Sequence, residues 1–116
     1  MSNIKTSDII LRVSLDENKV PEKIHWDATD NNVVAKEATA MMLSVWDPKE
    51  DNTLRVDLWT KDMVVDDMKK FIHQSLLMMA DTLERATGEK IMAETMRDFG
   101  QYYAEKLDLL DPPAQP

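Results

Sequence analysis

A chain of 116 residues lies in the range of one domain and can bury roughly two thirds of the surface its unfolded form exposes, enough for one hydrophobic core and too little for two. With 43% hydrophobic and 31% charged residues it has the balance of a folded protein, and its net charge of −8 opposes nucleic acid and anionic lipid, which are bound through clustered Lys and Arg. The lack of cysteine excludes a disulfide framework, a thiolate nucleophile and a thiolate zinc site.

The opening Met1-Ser2-Asn3-Ile4-Lys5-Thr6 has no apolar run of the signal-peptide kind, and no later stretch approaches the roughly 20 apolar residues of a membrane span. A cytoplasmic location without membrane insertion is expected. From Asp8 to Asp16, Ile9, Leu11, Val13 and Leu15 alternate with Ile10, Arg12 and Ser14, the period of two that turns one strand face to a core. Turn formers from Asp16 to Pro21 break the pattern. A second strand, about Glu22 to Ala28, sets Ile24 and Trp26 against Lys23, His25 and Asp27, and the two segments predict a hairpin.

Asp30 to Ala40 reads as a short helix or a loop, because Asp30 and Asn31 suit a helix cap and Val33, Val34, Ala35, Ala38 and Ala40 give a weak helical stripe. Met41 to Trp46 then runs into Asp47-Pro48-Lys49-Glu50-Asp51-Asn52, a turn. In Thr53 to Thr60, Leu54, Val56 and Leu58 face one way and Arg55, Asp57 and Trp59 the other. This is the second predicted hairpin.

From Val64 the spacing becomes three or four: Val65, Met68, Ile72, Leu76, Met79, Leu83 and Ala86 line one helix face, and Gly88 supplies its left-handed C-cap. A second helix, about Glu89 to Leu109, carries Met92, Met96, Phe99, Tyr103 and Leu107. So short a connection predicts antiparallel helices. The order predicts a single α+β domain over residues 1–110, with a four-stranded antiparallel sheet of two hairpins and a two-helix antiparallel hairpin packed on one face. The Pro-rich residues 111–116 are expected to form a disordered tail.

Few residues offer chemistry. His25 and His73 are the sole imidazoles, and neither has a ligand partner at metal spacing, so no metal and no cofactor is expected. His73 adjoins the Ile72–Leu76 stripe, where a packed boundary histidine is the plain reading. Asp66 and Asp67 compose a first helical turn, where negative charge complements the helix dipole, and Asp81 and Glu84 have no cleft that the sequence defines. With Gly88 and Gly100 the only glycines, no phosphate-binding loop can form, and no serine stands in a nucleophile elbow. No catalytic residue is assigned, and an enzyme is not expected.

Nine methionines and three tryptophans remain to be placed. A methionine stripe is ordinary core filling. Trp59, opposite the Leu54-Val56-Leu58 face and beside Arg55 and Asp57, with Lys61 following, has the composition of a protein-binding patch; packing beneath a loop or against a second copy is the plainer alternative. An open sheet edge can also be closed in a homo-oligomer.

Met42-Leu43-Ser44-Val45-Trp46-Asp47 and Leu54-Arg55-Val56-Asp57-Leu58-Trp59-Thr60-Lys61-Asp62-Met63 resemble the gliding motility GldC family of Bacteroidetes bacteria. The likeness continues through Met79-Ala80-Asp81-Thr82-Leu83-Glu84-Arg85-Ala86-Thr87 and Met96-Arg97-Asp98-Phe99-Gly100. It covers nearly the whole chain except the Pro-rich tail. One departure is Val64, where the family pattern has a proline that marks a helix start. The resemblance implies a small non-catalytic accessory protein of the gliding motility and type 9 secretion machinery that works by binding a protein partner. The alternative is a holdase-type export chaperone, a class that also joins a four-stranded sheet, two following helices and acidic charge.

Overall fold

The computed structural model describes residues 4–110 and contains five strands followed by two long helices, so the α+β class stands. The predicted tail, 111–116, lies outside the described residues. Contacts divide the chain into two compact units, Met1–Met63 and Val64–Pro116.

The first unit holds a three-stranded antiparallel sheet and a separate two-stranded one. In the larger sheet, β1 (Ile9–Leu15) pairs with β2 (Pro21–Ala28), and β2 pairs with β3 (Val33–Ala38). The predicted single four-stranded sheet is therefore corrected to sheets of three and two strands. The extra strand is β3, drawn from the segment read as helix or loop. Three local features accompany it. Asn32, at φ 53°, reverses the chain after the short 3₁₀ turn Thr29–Asn31; Asp27 accepts the amide hydrogen of Ala35; and the β2–β3 register slips between Trp26 and Ala28, leaving Ala35 at φ 47°. A bulge of this kind hides the alternation of a strand from its sequence.

Asp27 also accepts from Arg12 at 2.7 Å. The Ala35 amide first and the Arg12 guanidinium second hold its carboxyl below the usual aspartate range. At the other end of the first hairpin, Asp16 Oδ1 accepts from the amides of Asn18 and Val20 at 2.8 and 3.0 Å. At the centre lies Ile24, fully buried in the middle strand.

The second sheet is the ribbon of β4 (Ala40–Asp47) and β5 (Asn52–Trp59), paired in one unbroken register from Ala40↔Trp59 to Asp47↔Asn52. Its turn is fixed by Asp47 Oδ1, which accepts from Lys49 N at 3.0 Å. At the open end, Thr60 N donates to Thr39 O at 2.8 Å, and Thr60 itself is buried.

The second unit is a helical hairpin of α1 (Val65–Thr87) and α2 (Lys90–Lys106). Val64 is the N-cap of α1 without a side-chain cap bond, so the helix start rests on Asp66 and Asp67 in the first turn. Gly88, at φ 77°, closes it with its amide on Glu84 O. The antiparallel prediction holds: Tyr103 Oη donates to Lys69 O at 3.3 Å, and Arg97 reaches back to Asp81.

The row of α2 that is fully buried is not the predicted one. Ala93, Gly100 and Ala104 are buried, while Met92 and Phe99 are exposed. Small residues let helix backbones approach, and a Cβ on Gly100 would stand 2.7 Å from Leu77 Cδ2.

Candidate protein-binding surface

The β4–β5 register decides which side chains share a face, because residues directly opposite in an antiparallel pair point the same way. One face of the ribbon carries the apolar residues Met41, Leu43, Val45, Leu54, Val56 and Leu58, with the polar pair Asp47 and Asn52 at its turn end. The other carries Met42, Ser44 and Trp46 from β4 and Thr53, Arg55, Asp57 and Trp59 from β5. Trp59 is 58% exposed and Trp46 60%.

Of the residues singled out from the sequence, Arg55, Asp57 and Trp59 lie together on this second face. Arg55 Nη2 donates to Asp57 Oδ2 at 2.6 Å and Nε to the same oxygen at 3.0 Å. That contact raises the Arg55 pKa and holds the guanidinium along the strand between the two tryptophans. Lys61 is not part of the group. It follows the strand end, and its Nζ lies 2.5 Å from Asp16 Oδ2 in the β1–β2 turn. The pairing pushes the Lys61 pKa up and, with the turn amides, the Asp16 pKa down.

Trp46 is the member that sequence reasoning missed. Its signal was available in register: counted back from the Asp47–Asn52 turn, Trp46 falls opposite Thr53 and on the face of Arg55. The surface thus presents an exposed aromatic at each end and a neutralised ion pair between them. Such a surface offers apolar area and a guanidinium at low net charge, the composition of an energetic centre in a protein interface.

The other candidate groups have structural duties. Asp81 and Glu84 of α1 and Glu94 of α2 surround Arg97, at 2.9, 3.0 and 2.6 Å. The Asp81 contact first, then Glu84, pushes the Arg97 pKa up. His73 stacks on Tyr103 with ring centroids 6.0 Å apart. His25, in β2, lies opposite Arg12 of β1 and Glu37 of β3. Among the described residues, no three His, Cys, Asp or Glu side chains gather to hold a metal ion, and no helix is long and apolar enough to cross a membrane.

No curated protein and no solved structure matches the chain. The model of one protein family does, over residues 21–109, a span that takes in β2 through α2 and so Trp46, Trp59 and Arg97. The chain belongs to the gliding motility-associated GldC-like family.

Proposed function

We propose that the protein is a non-catalytic accessory component of the gliding motility and type 9 secretion machinery, acting on the cytoplasmic side by binding a protein partner. The observation that carries this reading is the Trp46–Arg55–Asp57–Trp59 face, exposed on a regular two-stranded ribbon. Aromatic side chains of this size bury large areas on docking with little loss of rotamer freedom. The test pairs motility with capture. A folded Trp59→Ala, Arg55→Ala variant should lose gliding and lose one or two motility proteins from crosslinked complexes; full gliding by that variant would reject this face as the docking surface.

A holdase role is the second reading. The apolar row of the same ribbon, with Leu43, Val45, Leu54 and Val56 exposed, supports it, since unfolded chains are held on apolar area. Suppressed aggregation of an unrelated unfolded substrate by the purified protein, abolished by Leu54→Lys and spared by Trp59→Ala, would favour the chaperone over the dedicated accessory protein.

A further inference from the structure

Among the described residues, β4 has one hydrogen-bonded neighbour, β5, so its outer edge is open. Open edges present unpaired amides and carbonyls to any passing strand, and proteins guard them with charge, proline or bulges. The other strands have such guards. β1 carries Arg12 and a register break between Ser14 and Leu15; β3 carries Lys36, Glu37 and the positive-φ Ala35; β5 carries Arg55 and Asp57. β4 has none before its final Asp47: Ala40-Met41-Met42-Leu43-Ser44-Val45-Trp46 is uncharged, free of proline and regular in register.

We propose that β4 pairs antiparallel with β4 of a second copy of this chain, giving a four-stranded sheet of order β5-β4-β4-β5. Three observations select a second copy. A two-stranded ribbon is marginal in water, whereas sheets of three or more strands with an apolar face are stable, so joining two ribbons supplies what each lacks. Each copy carries a charge of −8, so self-association is opposed wherever acidic surfaces meet, and of the strands described β4 alone is uncharged up to its last residue, Asp47.

The third is geometric. Side-by-side antiparallel pairing of identical strands places the two-fold axis perpendicular to the sheet, which leaves each face on its own side. Met41, Leu43 and Val45 of both copies then join in one apolar face, and the tryptophan faces of both copies join on the other. The interface goes beyond the proposed function and stands without it.

Ser44 gives the test, being exposed and on the face opposite the apolar row. The full chain should sediment at twice 13.4 kDa, and Ser44→Lys and Ser44→Glu should each sediment at 13.4 kDa. Their association should be at least about ten-fold weaker, or about 1.4 kcal/mol. With the two strands centred on Ser44, an equal mixture of the two variants should recover the larger mass, because opposite charges then face each other. Wild-type amides of 40–47 should exchange more slowly as concentration rises, a readout that needs no variant to fold.

A wild-type mass of 13.4 kDa at every soluble concentration would overturn the proposal. So would dimers undisturbed by either charge, or β4 exchange independent of concentration. A monomer whose β4 amides are protected only by an added apolar extended peptide would assign the edge to a different chain and reject the second copy.

Discussion

The two sheets of the first unit use the same antiparallel pairing and reach opposite outcomes. In β1-β2-β3 a central strand buries Ile24 completely, and its neighbours are irregular, charged and bulged. In β4–β5 the register is unbroken and no side chain from Ala40 to Trp59 is fully buried. Regularity in the first case is sacrificed at the edges to isolate the sheet; in the second it is kept, and the surface stays available. Irregular, charged outer strands close off the first sheet, whereas the regular register of the ribbon leaves β4 without an edge guard.

The strongest test of this contrast is truncation in each sheet. Ile24→Ala should cost about 2–5 kcal/mol, as expected for a fully buried aliphatic side chain that leaves a cavity. Leu54→Ala, at a side chain 52% exposed, should cost less than about 1 kcal/mol. Urea unfolding followed by circular dichroism reads both, and equal losses would erase the distinction between the sheets.

Acid gives the next effect. Asp16 and Asp27 both have folded-state pKa values below the ordinary 3.8, so their contribution is present above that value and is lost as pH falls through it toward the folded values. Stability of the first unit should fall between pH 5 and the acid limit, and Asp27→Asn should flatten that fall by removing one of the two titrations. An unchanged slope in the variant would detach Asp27 from the β2–β3 junction. Smallest is Ala35→Gly, which should stabilise by up to about 1 kcal/mol because glycine takes the left-handed conformation at φ 47° without strain. A loss instead would show that the Ala35 methyl, and not the turn, secures β3.

Periodicity made most of the fold legible. The alternation in Ile9–Leu15 and Leu54–Leu58 and the three-four spacing from Met68 to Leu83 each follow from one repeating geometry. Val33–Ala38 was illegible because its conformation is imposed from outside: Asp27, in another strand, holds the Ala35 amide. The buried row of α2 was misjudged for a related reason, since Ala93, Gly100 and Ala104 are selected by how near two backbones come and not by hydrophobicity. In the candidate surface, Arg55, Asp57 and Trp59 share a strand and could be grouped by counting in twos. Lys61 lies beyond the strand, and its partner Asp16 is brought to it only by the fold.

The pairings described above also share a property of sequence. β1 joins β2, β2 joins β3, β4 joins β5 and α1 joins α2, each with its neighbour along the chain. Pairings of this kind are of low contact order, and loop closure between consecutive elements is the fastest kind, placing helical hairpins in the microsecond-to-millisecond range. During synthesis each hairpin can form as its second arm emerges. The β4–β5 ribbon is complete once Trp59 has left the ribosome, so the uncharged edge is exposed to a neighbouring nascent chain before α1 exists.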